Sequence, residues 1–361
     1  MRTKYVLTGS VNRPRPDGRQ VSGEGVRVLA LDLDSGTLTP VSVSGRIDNP
    51  SFVAVSPDGR YVYATTDVDS WDEGLVSAFR LDAGQLSYLN KQPTRGGGPG
   101  YLSVHPGGRW LFVTNYLVSA PALRPAQALA VLPIEADGGL GPPAASVAHR
   151  GRGSVVGRQD APHPHCALPS PDGRLVLVAD LGLDQVLAYP FDARTGALGP
   201  AAVTAISPGC GPRHMAFCGG GRFVLLVGEL DNTVRLLAWD AGVLRPVASL
   251  PILPQGWQGS ATGADLAISA DDRFAYVSTR GCDTIATVAL DLAAGTLALV
   301  AHDAAPAKPR SVALAGDFLL VAGQDADAIA VFRRDPVSGR LTDTGQRAAV
   351  GSPTCVRVQT P

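Results

Sequence analysis

Residues 160–192 read DAPHPHCALPSPDGRLVLVADLGLDQVLAYPFD, and the fold follows from this stretch. Two short apolar runs, Ala167–Leu168 and Leu175–Val178, flank Ser170-Pro171-Asp172-Gly173. Those four residues make a turn: proline presets its φ, aspartate bonds the backbone ahead of it, and glycine accepts a positive φ. A third run, Val186–Phe191, follows a loop over Leu181–Gln185, and Thr195-Gly196 begins the next turn. Strand, turn, strand, loop and strand in close succession predict an antiparallel meander. The polar groups sit outside it: His163 and His165 precede the first run, and Asp180 closes the second.

The same template recurs along the chain. It appears at residues 49–66 (NPSFVAVSPDGRYVYATT), 98–115 (GPGYLSVHPGGRWLFVTN), 163–180 (HPHCALPSPDGRLVLVAD) and 211–229 (GPRHMAFCGGGRFVLLVGE). It returns at 262–280 (TGADLAISADDRFAYVSTR) and 308–324 (KPRSVALAGDFLLVAGQ). Aligned on Ser51, Gly100, His165, Arg213, Ala264, Arg310 and Thr354, the units are 44 to 51 residues apart, with one spacing of 65. Four strands at this period predict a propeller blade. The last unit has only a first strand, within residues 352–358 (SPTCVRV). The N-terminus supplies the rest: Tyr5–Thr8, Gly25–Leu33, the turn Asp34-Ser35-Gly36, and Leu38–Val43. The expectation is an all-β, seven-bladed β-propeller with four antiparallel strands per blade. A blade shared between the N- and C-termini closes the ring and removes free sheet edges. One domain is expected over residues 1–361. The long spacing marks an insertion, with loops at 117–126 and 144–160, the latter carrying His149, Arg150, Arg152 and Arg158.

Composition narrows the function classes. A 361-residue chain that is 45% hydrophobic can bury a large core, and a net charge of −1 offers no basic field for nucleic acid or acidic lipid. No apolar run approaches the roughly 20 residues of a membrane helix. The five cysteines, at 166, 210, 218, 282 and 355, form no C-x-x-C pair and no even framework, and the N-terminus lacks a signal-length apolar run. These features lead to the expectation of a cytoplasmic protein. They leave the oligomeric state open.

Propeller geometry locates the chemistry. Strand one of each blade is innermost, so the starts of first strands and the ends of second strands share one face around the channel. First-strand starts include His165, Arg213, Arg310 and Thr354; second-strand ends include Asp180, Glu229, Arg280 and Gln324. Repeats built for packing alone need no such charge there, whereas the opposite turns repeat an uncharged-to-mixed SPDGR-like sequence. Glu229 or His165 can act as a base, and Arg213 and Arg280 are cationic donors for an oxyanion, a carboxylate or a phosphate. The plainer alternative makes Glu229 with either arginine an inter-blade ion pair, His163 a structural residue and His214 a satisfied core histidine. His163 and His165 with nearby carboxylates lack a clear third metal ligand among crowding arginines, so no metal and no cofactor is expected.

The ordered motifs APHPH, GPRH, GEL, STRG and PRS, spread over four blades, resemble the propeller-type 6-phosphogluconolactonase family; the fungal carboxymuconate lactonizing enzymes are similar. The resemblance spans Tyr5 to Thr354. It implies catalytic residues at His165, Arg213, Glu229 and Arg280, and Arg158-Gln159 also match the pattern. With the channel-face positions, the candidate substrate-binding set is His163, Arg158, Gln159, Arg310 and Gln324. Ala267 departs from the family, which carries a histidine at that position. The implied activity is metal-independent hydrolysis of a sugar lactone resembling 6-phosphogluconolactone, on a small-molecule lactone or carboxylate substrate. The same groups suit a muconate-type cycloisomerase, and a non-catalytic propeller binding a ligand or protein is the reading from another class.

Overall fold

The computed structural model describes residues 2–14, 18, 20–45, 47–117 and 127–359. Seven antiparallel sheets stand around one axis, each numbered here by its place in the chain. Blade 1 runs Val53–Val55, Tyr61–Thr66, Leu75–Asp82 and Gln85–Pro93 from the axis outward. The innermost strands of blades 2 to 6 are Gly97–Val104, Pro164–Pro169, Pro212–Cys218, Thr262–Ile268 and Pro309–Ala315. Blade 7 takes its inner strand, Pro353–Val358, from the C-terminus and its other three, Thr3–Ser10, Arg27–Asp32 and Leu38–Val43, from the N-terminus. The expected closure by a shared blade is therefore present. In blade 3 the outer strand is in two pieces, Ala197–Leu198 and Ala202–Ala205, which pair with different parts of Gln185–Asp192.

Two expectations are corrected in detail. The first strand of blade 3 begins at Pro164 rather than Ala167, so His165 lies within it. Of the 144–160 loop, Ala145–Val147 is the outer strand of blade 2, pairing with Leu129–Val131; Ala144 and residues 148–160 are irregular. Of the 117–126 loop, Leu117 ends the strand Trp110–Leu117, and 118–126 lie outside the described residues.

The second strands are apolar on both sides because each is sandwiched between two neighbouring blades. Val176 and Val178 pack with Phe112 and Val131 of blade 2, whereas Leu177 and Ala179 pack with Met215 and Leu226 of blade 4. Such a strand shows a continuous apolar run instead of alternation. Similar clusters fill every junction around the ring, including Val6 and Leu29 against Phe318 and Leu320, and Leu7 and Val28 with blade 1. The outer hairpins fix the register between blades. At Gly138 (φ 88°) and Gly196 (φ 77°) a Cβ would meet the ring of Tyr61 at 2.0 Å or Trp110 at 2.4 Å, each on the preceding blade. Only glycine meets both demands.

Candidate active site at the channel mouth

The repeat aims its own side chains. In six blades the anchor residue follows a proline (Pro50, Pro99, Pro164, Pro212, Pro309 or Pro353). In five of these the residue before the proline has positive φ: Asn49 42°, Gly98 59°, Gly211 60°, Lys308 55° and Ser352 39°. Where that proline lies in the inner strand, the ladder slips by one residue just after it, leaving Gly100, His165, Arg213, Arg310 and Thr354 as the bulged residues. A bulge bends its strand and re-aims the extra side chain. Here each one is turned toward the axis. Together with Ser51 they ring a cavity of about 520 Å³, within the range of small-molecule sites.

Glu229, at the end of the second strand of blade 4, is the hub of that cavity. It is 5% exposed. One carboxylate oxygen accepts from Arg213 Nε at 2.9 Å and is ion-paired with Arg280 Nη2 at 3.0 Å; the other accepts from Arg158 Nη2 at 2.5 Å. Burial alone would raise its pKa, but Arg280, Arg213, His165 and Arg158 outweigh burial and hold it well below the usual carboxylate range. Arg213 is 1% exposed, and burial and Arg280 push it down to about 10, still protonated at neutral pH.

His165 stands beside this cluster in the opposite state. Burial, then Arg213 and His214, push it well below its ordinary value, so the imidazole is neutral. Its ring lies edge-on to His214, with centroids 5.0 Å apart, and to Tyr116, 5.6 Å apart. Among the described residues its Nδ1 has no hydrogen-bond partner, and neither has Arg280 Nε. A buried polar atom left unpaired at a cavity calls for a functional account.

Six of the nine residues expected from sequence line the cavity: His165, Arg213, Glu229, Arg280, Arg158 and Arg310. The other three do not. His163 stacks on Tyr116 and bonds its carbonyl at 2.9 Å, so it shapes the wall from behind. Gln159 is fully buried and pins the insertion: its amide donates to Leu181 O and Asp184 Oδ1, both at 2.8 Å, and its oxygen accepts from the amides of Ser154 and Val155. Gln324 lines a separate cleft with Val11, Asp327 and Ser352. His149 holds the start of the same insertion through Asp180, at 2.6 Å, and the Tyr189 hydroxyl, at 2.9 Å. Arg150 and Arg152 are exposed. Ala267 packs on the apolar layer between blades 5 and 6 and lies outside the cavity lining.

Three further lining residues, Tyr116, Asp67 and His214, are not among the candidates that sequence alone supplies. The position of Tyr116 at a second-strand end is the available signal; His214 follows the bulge, where a core histidine is expected. Among the described residues no three His, Cys, Asp or Glu side chains form a metal-ligand group.

Known proteins share this architecture. Residues 6–358 match the family described as Lactonase, 7-bladed beta-propeller. The 6-phosphogluconolactonase of Bacillus subtilis is 29% identical over 341 residues, covering 92% of this chain and 94% of its own. That of Formosa agariphila is 30% identical over 348 residues, covering 94% and 96%. A solved structure described as a periplasmic gluconolactonase of Pseudomonas aeruginosa superposes with a TM-score of 0.90 at 33% identity, covering 99% of each chain. This relative overturns the cytoplasmic expectation. The argument from free cysteines fails physically too: Cys166, Cys210, Cys218 and Cys355 are buried, and burial pushes the first three up to about 12. A buried, protonated thiol is inert in an oxidising compartment as well as a reducing one.

Proposed function

This chain belongs to the seven-bladed β-propeller lactonase family, and on that premise we propose that it hydrolyses a sugar lactone such as 6-phosphogluconolactone at the channel mouth, using its own side chains without a metal. The observation that carries the reading is a neutral His165 beside Arg213, Arg280 and Arg158 gathered on Glu229, all lining one cavity.

In this mechanism water attacks the lactone carbonyl while its proton passes to the neutral His165 imidazole. The oxyanion is held by the Arg280 guanidinium, beside Arg213, where the charge develops. Collapse breaks the ring C–O bond, and the imidazolium returns its proton to the departing alkoxide. With its pKa well depressed, that imidazolium is a strong acid and suits the second transfer. Glu229 is too strongly held as a carboxylate to exchange protons; it fixes three guanidinium groups around the reacting carbon. The product is a hydroxy acid whose carboxyl group releases a proton to solvent. Asp67 and Asp69 line the same cavity as Arg310. Carboxylates accept from ring hydroxyls and repel a second carboxylate, which favours a polyhydroxylated lactone over a muconate-like dicarboxylate.

The test is acid release in a pH-stat with gluconolactone and 6-phosphogluconolactone, the spontaneous rate subtracted. The expected result is turnover unchanged by EDTA and reduced on the order of 10²-fold or more in Arg280→Met. No turnover above background on either lactone, or full activity in Arg280→Met, overturns it.

A further inference from the structure

Beneath the cavity a second polar chain crosses four blades on the channel axis. Arg357 of blade 7 lies over the ring of Phe52, with its guanidinium carbon 4.5 Å from the centroid. Its Nη1 donates to Ser311 Oγ of blade 6 at 3.1 Å and to Asp265 Oδ2 of blade 5 at 3.5 Å. Ser311 Oγ and the Val312 amide donate to the same carboxylate oxygen at 2.8 and 3.2 Å. The other oxygen, Oδ1, accepts from His214 Nδ1 of blade 4 at 2.7 Å. His214 Nε2 then meets Arg213 Nη1 at 3.2 Å, and Arg213 Nε reaches Glu229. Asp265 and His214 are 4% exposed.

The proton positions follow from what each partner can do. Arginine only donates and an ionised carboxylate only accepts. Burial, with Arg213 close by, lowers His214 to about 4, so its ring is neutral and carries one N–H. That hydrogen must lie on Nδ1, facing Asp265, and Nε2 must be the bare acceptor facing Arg213. With the hydrogen on Nε2, two donors would face each other at Arg213, and Asp265 Oδ1 would lose His214 and keep only the Leu266 amide at 2.9 Å. Arg213 Nη1 also donates to the Ala264 carbonyl, so this nitrogen is held from two sides.

We infer that Asp265 and His214 are a positioning pair for Arg213: the carboxylate sets the His214 tautomer, and the bare Nε2 fixes the guanidinium that faces the reacting centre. Its kinetic consequence rests on the lactonase reading above. Replacing the carboxylate by an amide lets the amide N–H donate to Nδ1, forcing the hydrogen to Nε2, where it opposes Arg213. The same isosteric change at a catalytic aspartate–histidine pair elsewhere costs activity by selecting the wrong tautomer without disturbing the geometry.

Two measurements decide it. In wild-type protein, 15N–1H spectra of the histidine rings at pH 7, assigned with His214→Phe, are expected to show His214 protonated at Nδ1 and bare at Nε2. In kinetics on the lactone, Asp265→Asn is expected to lower kcat on the order of 10²-fold, with KM within threefold and Tm within a few degrees. His214→Phe keeps the ring that packs edge-on to Tyr101 and Phe52 but removes the acceptor, so it should show the same split if Asp265→Asn fails to fold. An Nε2–H or doubly protonated His214 overturns the inference. So does an unchanged kcat in both variants, or a kcat loss that only tracks a fall in Tm. A wild-type protein inactive on every lactone would overturn the lactonase reading instead, leaving the ring spectrum to decide the pair.

Discussion

At the scale of single residues, the site separates its two carriers of charge. Glu229 is kept ionised by three arginines, and His165 is kept neutral by burial, with Arg213 and His214 adding to it. The division of labour has a direct consequence for pH dependence. The base must be unprotonated to accept a proton from water, and its pKa lies well below the 6.5 of free histidine. Activity should therefore persist below pH 6.5 and fall only in more acidic solution, with no inflection near 6.5 in a plot of kcat/KM against pH. An acid limb centred at 6.5 would mean that His165 is not the proton acceptor.

At the scale of elements, two local devices build the site. One is the proline and bulge near the head of five inner strands, which brings His165, Arg213, Arg310 and Thr354 to the cavity. The other is the insertion after blade 2, which brings Arg158 to Glu229. That segment is tied down by His149 at one end and Gln159 at the other, and at Gly182 its backbone passes so close that a Cβ would lie 1.9 Å from Ala161 O. Gln159→Leu removes four hydrogen bonds from a fully buried position and leaves the buried Leu181 carbonyl without its donor, at a cost of about 1–3 kcal/mol. The expected result is a several-fold rise in KM, from loss of a placed Arg158, and rapid proteolytic cleavage within residues 151–160. Unchanged KM and protease resistance would show that the insertion is held by other contacts. The insertion is legible in the sequence as an irregular spacing, but its anchors are not. Gln159 resembles a ligand-binding residue because it adjoins Arg158, and nothing local shows that its side chain turns inward.

At the scale of the whole molecule, stability depends on closure. The inner strand of blade 7 pairs with Thr3–Ser10 and packs between the inner strands of blades 6 and 1. It also buries Cys355 and Val356 completely. Truncation before Pro353 would expose the edge of Thr3–Ser10 and the apolar faces of both neighbours at once. The truncated chain should lose its single cooperative melting transition and bind a hydrophobic dye at room temperature. A cooperative transition within a few degrees of the full-length value would mean the ring is stable open. Closure also brings Arg357 and Thr354, far along the chain, to the same axis as Ser51 and Asp265.

The amino-acid sequence by itself determined the strands, the turns, the blade count, the shared terminal blade and the ring of anchor positions. These depend on interactions within a few residues, such as a proline before a strand or Asp-Gly in a turn, repeated at a constant period. Of the six expected site residues that line the cavity, five reached it for the same reason, that a repeated backbone delivers equivalent positions to equivalent places; Arg158 came with the insertion. Only the tertiary structure decided which groups pair. Glu229 draws arginines from the insertion and from blades 4 and 5; Asp265 draws partners from blades 4, 6 and 7. Those partners lie tens to hundreds of residues apart, and a one-residue bulge decides which face of a strand a side chain takes. Pairing across blades, and with it the protonation state of each group, is therefore a property of the closed ring.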